Sequence, residues 1–259
     1  MFPIRDDNPH FNTPYATYAI IAVNVLVWAF VQGFGATLPL VRSLCVLGLI
    51  PAQLLAVAPT GTTIPLGPGL ECVLTDGPAW YTVFSSMFMH GGWLHIIGNM
   101  WFLWIFGNNV EDAMGSVRFV LFYLLCGVAA AASQIASDPA SVIPMVGASG
   151  AIGGVMGAYI VLYPRVHVHL LVFLGFFVTT FAVPAVFMLA YWFVYQIVSG
   201  VWSLGAQGGG VAFWAHAGGF AAGMVLVWLF RDKRLLLRHP YHGWRQPRSP
   251  HRSWRRIDR

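Results

Sequence analysis

Val146-Gly147-Ala148-Ser149-Gly150-Ala151-Ile152-Gly153-Gly154-Val155 opens an apolar segment with a single serine bracketed by glycines. Ser149, Gly153 and Gly157 recur at i, i+4 and i+8, which stacks them on one face of a helix. Two readings of this stretch stay open. One is a stripe of small residues that lets a neighbouring helix approach closely. The other is a nucleophile at the start of a helix, whose unpaired first-turn N–H groups suit a developing oxyanion. Gly-x-Ser-Gly is short and weak by itself, so the remainder of the chain has to decide.

The 259 residues are 58% apolar and only 9% charged, with a mean hydropathy of +0.68. Soluble domains carry roughly 25% charged residues. Between Arg118 and Arg231 the charges are Asp138 and Arg165, too few for a solvated surface. The chain therefore reads as a polytopic protein of the lipid bilayer. Apolar runs of spanning length lie at about 16–35, 92–108, 116–135, 149–164, 185–204 and 211–230. The first lacks a small-residue cleavage site and reads as a retained helix, not a signal peptide. A seventh stretch, about 166–183, begins Val166-His167-Val168-His169 and ends at Pro184. It is short, which suits an interfacial or re-entrant segment better than a crossing.

The expected fold is an all-α membrane protein, a six-transmembrane helical bundle with a long first extracytoplasmic loop. Its parts are a cytoplasmic segment 1–15, a membrane domain 16–230 and a basic cytoplasmic tail 231–259. The loop between the first two helices exceeds fifty residues, a length that is usually functional or disordered. It holds an amphipathic piece, Val41–Leu55, and a Gly/Pro/Thr-rich piece, Pro59–Gly69. No internal repeat suggests a transporter built from two halves.

The net charge of +5 is concentrated: ten of the fourteen Lys and Arg residues fall in 231–259. Such a tail can suggest nucleic acid, but beside a membrane helix the positive-inside rule is the commoner cause. No nucleic-acid partner is expected. With six spans both termini are cytoplasmic, and Arg42 alone of the fourteen faces out. The expected location is a bacterial plasma membrane. Cys45 and Cys72 share the first loop and can pair if it is extracytoplasmic. With no cysteine framework, three free thiols are the expectation, Cys126 within a span.

Three further polar residues sit in apolar sequence. His216, in Ala215-His216-Ala217-Gly218-Gly219, shares a helix face with Gly219 and Gly223. It reads either as an interhelical hydrogen-bond partner or as a base. Two small faces permit close packing, which would bring imidazole to hydroxyl. Ser149 and His216 lie at one depth only if a single crossing separates their helices. Upstream, His95 and Asn99 are i, i+4 neighbours; an interhelical bond is one reading, side-chain oxyanion donors the other. A metal site is not expected: His90 and His95 are five apart, with neither a His-Glu-x-x-His motif nor a nearby carboxylate. Glu111 and Asp112 lie about 24 Å along the helix from His95, too far to complete a triad. The chain thus offers a Ser–His dyad in which packing must hold the imidazole.

His-x-x-x-Asn in one helix, Gly-x-Ser-Gly opening another and Ala-His-x-x-Gly-x-x-x-Gly in the last resemble the rhomboid family of intramembrane serine proteases. The likeness covers about residues 16–230. It implies Ser149 as nucleophile and His216 as general base. It further implies His95, Asn99 and the Ser149 amide as oxyanion donors, with Gly147 in the same oxyanion and substrate-binding set. The implied substrates are transmembrane proteins, cleaved near the extracytoplasmic side without cofactor or metal. Glu111, with Gly115, becomes a structural hydrogen-bonder, and the first loop a lateral structure in the outer leaflet. Several relatives carry an aromatic residue four positions after the serine, where this chain has Gly153. Either another aromatic, such as Phe213, Trp214 or Tyr159, is then expected to orient His216, or its orientation is looser. The rival within the same fold is an inactive membrane chaperone or binding protein.

Overall fold

The computed structural model describes residues 2–67, 69–75, 77–174, 177–203 and 211–243. Most of the basic tail, residues 244–259, and Asp76 in the first loop lie outside them. The chain opens with a strand, β1 (Phe2–Asp6), and then enters α1 (Tyr15–Phe30). The first loop folds as α2 (Thr37–Leu47), a single turn α3 (Pro51–Leu54) and the hairpin of β2 (Thr63–Gly67) with β3 (Leu70–Val73). A turn, α4 (Thr82–Ser85), leads to α5 (Trp93–Met114) and α6 (Ser116–Ser137). Gly115, at φ +79°, makes the reversal between them. After α7 (Ser149–Leu162) comes a second hairpin, β4 (His167–Leu174) and β5 (Phe177–Pro184). It is followed by α8 (Ala185–Ser203), α9 (Phe213–Phe230) and a last turn, α10 (Lys233–Leu236).

The chain is mostly helical but not all-α. The stretch 166–183, short enough to be expected as an interfacial or re-entrant segment, is a β-hairpin: β4 pairs antiparallel with β5, and β1 joins β4 with Phe2 opposite Leu171 and Asp6 opposite Val168. The cause is legible in Val166-His167-Val168-His169-Leu170, which alternates with period two. Val166, Val168 and Leu170 are buried, while the histidines between them face outward or stay half-buried. The hairpin returns to its starting point, since Ala185 N–H donates to the Val166 carbonyl at 2.7 Å and Val186 N–H to that of Pro164 at 2.9 Å. It therefore delivers the chain to the start of α8 close to where it left α7.

Among the described residues three helices, α6, α8 and α9, are long and apolar enough to cross a membrane, while α1, α2 and α7 are shorter apolar helices. α5 has 22 residues and turns Leu94, Ile97, Trp101 and Trp104 outward along one exposed stripe. Its far end carries Glu111 and Asp112, both buried. Glu111 accepts from the Ala16 and Thr17 N–H groups at 2.9 and 2.8 Å, from the Thr17 hydroxyl at 2.8 Å and from that of Ser116 at 2.6 Å. A carboxylate on the first turn of α1 is where a helix favours negative charge.

In the first loop Cys45 and Cys72 form a disulfide, their Cα atoms 5.5 Å apart, which corrects the expectation of free thiols. α2 and β3 bring two cysteines 27 positions apart to bonding distance around a small core of Ile50, Ile64 and Leu74. Cys126 is free and buried.

Candidate active site

α7 and α9 pack backbone to backbone. A Cβ added at Gly219 would fall on the Gly150 carbonyl, at Gly223 on that of Gly154 and at Gly157 on that of Phe220. No larger residue permits this approach, and it sets the register of the two helices. Both begin at the same end. Ser149 in the first turn of α7 and His216 in the first turn of α9 consequently meet, with Oγ and Nε2 2.7 Å apart. Gln134 of α6 braces the second helix by accepting the Ala215 N–H at 3.2 Å.

The other ring nitrogen of His216 is also partnered. Nδ1 lies 2.9 Å from Oε1 of Gln196, a buried amide on α8. Trp192, one turn earlier on the same helix, lies against the imidazole with ring centroids 5.8 Å apart. The sequence reading missed both, expecting packing alone to hold the ring. The available signal was a single amide inside the apolar run Ala185–Ser203. The aromatics expected to orient His216 are engaged elsewhere. Tyr159 donates to Asp6 at 2.5 Å, Phe213 faces Tyr195, and Trp214 sits beside Gly200. A side chain at Gly153 would crowd the His216 carbonyl at 3.0 Å, so the small residue there serves the helix contact.

On the opposite side stands His95. Its Nδ1 accepts the Gly91 N–H at 3.2 Å, so in the neutral ring Nε2 carries the proton. That nitrogen points at Gly147: a Cβ built there would lie 2.6 Å from His95 Nε2 and 3.3 Å from Ser149 Oγ. Gly147, at φ +125°, keeps this space open. Its own N–H is not an open donor, because it bonds the Ser86 carbonyl at 2.9 Å. Gly147 thus belongs to the site by shape and not as a hydrogen-bonding group. The Ser149 amide, in the first turn of α7, has no carbonyl one turn back. Asn99, one turn along α5 from His95, is buried, and its Nδ2 has no partner among the described residues.

His90, just before α5, is wholly buried against the His95 ring at 5.2 Å between centroids. Burial and the neighbouring histidine hold its pKa down to about 3. Gln32 clamps its backbone, accepting the His90 N–H at 2.9 Å and donating to its carbonyl at 2.8 Å. Among the described residues no three His, Cys, Asp or Glu side chains gather as a ligand set for a metal. A cavity of about 20 Å³ lies beside Ser149, lined by Ser86, Met87, Ala130, Gly147 and Ala215. That is room for about one water.

The site therefore combines a hydroxyl on an imidazole, a ring partner behind that imidazole and proton donors on the far side of the hydroxyl. A family model described as Rhomboid domain matches residues 77–233. The rhomboid-like protein 11, chloroplastic, of Arabidopsis thaliana is 40% identical over 77 residues, 30% of this chain and 27% of that protein. The rhomboid protease GluP of Bacillus subtilis (strain 168) is 36% identical over 99 residues, 38% of this chain and 19% of that one. A longer match, 26% identical over 202 residues, joins 76% of this chain to 45% of the RHOMBOID-like protein 4 of Arabidopsis thaliana. The chain thus spans less than half the length of each.

Proposed function

The chain belongs to the rhomboid family, and from that premise we propose that it is an intramembrane serine endopeptidase acting on transmembrane segments of other proteins. The observation that carries this reading is the 2.7 Å approach of Ser149 Oγ to His216 Nε2 in the first turns of two helices. Ser149 Oγ attacks the scissile carbonyl while His216 Nε2 takes its proton. Charge on the carbonyl oxygen is met by the His95 Nε2–H, the unpartnered Asn99 Nδ2 and the Ser149 amide. The imidazolium then protonates the leaving amine. A water, for which the cavity beside Ser149 has room, attacks the acyl-enzyme and restores the hydroxyl.

Six crossings are part of the proposal, made by α1, α5, α6, α7, α8 and α9. α7 has 14 residues, about 21 Å of helix against a hydrocarbon core of about 30 Å. Its first turn accordingly sits below the membrane surface. The Cys45–Cys72 bond supports an outward, oxidising side for the first loop, and the basic tail supports a cytoplasmic side for both termini. The membrane of this reading is a bacterial plasma membrane. A substrate helix must unwind locally, because its backbone bonds hide the scissile carbonyl. Small or helix-breaking residues are expected at the cut.

The test is incubation of purified protein with a panel of labelled single-span substrates, beside Ser149→Ala and His216→Ala. Cleavage by the parent and none by either folded variant is expected. Cleavage at the parent rate in either variant overturns the dyad. Substrate binding without any cleavage by the parent would assign a membrane chaperone instead.

A further inference from the structure

α8 is the helix whose apolar surface is most widely exposed, with Phe187, Tyr191, Val194, Val198, Val201 and Trp202 all facing outward. Gln196 breaks the pattern. It is an amide, it is 4% exposed, and it lies on the inward face one turn after Trp192. An amide buried on such a helix needs a partner to be tolerated. Its carbonyl oxygen meets His216 Nδ1 at 2.9 Å.

We infer that Gln196 is the positioning residue for His216, holding the proton on Nδ1 so that the Nε2 lone pair faces Ser149. The inference rests on the proteolytic reading of the site. A carbonyl oxygen can only accept, so the nitrogen facing it must be the one that carries hydrogen in the neutral ring. Nε2 is then obliged to be the acceptor, and the group opposite it is the Ser149 hydroxyl. The opposite tautomer would set a lone pair against the amide oxygen, losing that bond, and would turn an N–H toward the hydroxyl, leaving no lone pair to take the serine proton. Trp192 adds the second restraint, flanking the plane whose edge Gln196 fixes. The ring is thus attached to α9 and oriented by α8.

The choice of an amide has a chemical consequence. An acceptor carboxylate both orients a catalytic imidazole and stabilises its charged form. Gln196 orients the ring while adding no charge of its own. The titratable groups facing the imidazole are Ser149 on α7 and His95 on α5; α8 offers it the neutral Gln196 and Trp192.

Two substitutions and one spectrum test this. Gln196→Met keeps the volume and removes the acceptor. Its kcat should fall between about 10- and 10⁴-fold, the upper figure being the loss when an imidazole is left in the wrong tautomer. KM should stay within about twofold, since the amide touches the ring and not the substrate. Gln196→Glu restores an acceptor and adds a charge. It should recover kcat above the Met variant and move the acid limb of the kcat/KM profile to higher pH, because a nearby carboxylate favours the imidazolium. Independently of turnover, the histidine ¹⁵N shifts of His216 should report an Nδ1–H ring in the parent and a mixed or inverted tautomer in Gln196→Met. A parent kcat in the Met variant overturns the inference, as does an unmoved acid limb in the Glu variant. So does an unchanged tautomer in the ¹⁵N spectrum, even if no substrate is cleaved. Absence of serine-dependent cleavage in the parent, with the tautomer behaving as expected, would overturn the proteolytic reading alone.

Discussion

At the residue scale, the side chains around Ser149 divide by what they touch. His95 turns Nε2 toward the space over Gly147 beside Ser149 Oγ, and Asn99 stands one turn along α5 with a buried amide. On the proposed oxyanion role, His95→Ala or Asn99→Ala should each slow cleavage by about 10²–10³, the loss typical of one such donor. Single-turnover rates would show whether either loss is absent, which would reduce that residue to packing. Gly147→Ala should do more than either. It places a Cβ against His95 Nε2 at a backbone angle that non-glycine residues adopt only with about 1–3 kcal/mol of strain. A lowered unfolding midpoint together with lost activity is expected, and a parent-like variant would refute the account of its shape. Ser149 and His216 were legible as candidates because each is a polar group in apolar sequence on a helix face with glycines, and His95 and Asn99 because they pair at i, i+4. Gln196 was equally polar and equally isolated. It escaped notice although Gly200, buried one turn further along α8, marks the same inward side. Trp192 was illegible because an aromatic in a membrane helix carries no sign of which ring it will meet.

At the scale of elements, the α7–α9 contact is the hinge of the argument. Gly219→Val or Gly223→Val would drive a side chain into the carbonyls of Gly150 or Gly154. Forcing the helices apart should destabilise by at least about 1–3 kcal/mol and separate Ser149 from His216, read as joint loss of thermal stability and cleavage. Retention of both would mean that the helices can slide without consequence. Helix positions followed from apolar runs and flanking glycines. The three-stranded sheet did not, since its strands pair the chain's beginning with residues 167–171, a contact no local pattern announces. That sheet has its own pH dependence. Burial pushes the Asp6 carboxyl up to about 6, with the Tyr159 hydroxyl bond opposing. A raised carboxyl favours folding fully below its ordinary value near 3.8, and that contribution is lost as pH rises through about 6. Amide exchange in β1, corrected for intrinsic rates, should therefore show weaker protection at pH 7.5 than at pH 5. Asp6→Asn should flatten the difference; an unchanged slope would place its origin elsewhere.

At the scale of the whole molecule, the first loop is a small unit of its own, closed by one covalent bond. Loop-closure entropy over 27 residues gives the Cys45–Cys72 bond about 3.5 kcal/mol of stabilisation. Reduction, or Cys45→Ser, should lower the unfolding free energy by about that amount; reductant should destabilise Cys126→Ser as it does the parent and leave Cys45→Ser unchanged, and equal sensitivity of the two variants would contradict the pairing. Near the opposite ends of the sequence a second convergence occurs. The Asp112 carboxylate accepts from the Phe11 N–H at 2.7 Å and the Asn12 N–H at 3.1 Å, and His239 Nε2 lies 3.4 Å from it. Residues separated by nearly the full chain thus share one side chain. Chain segments near Phe11 and His239 are therefore close enough in space to be joined. A short splice from the region after His239 to the region before Phe11, with the backbone opened at the exposed Gly61, would be a circular permutant whose new ends are still tethered through Cys45 and Cys72.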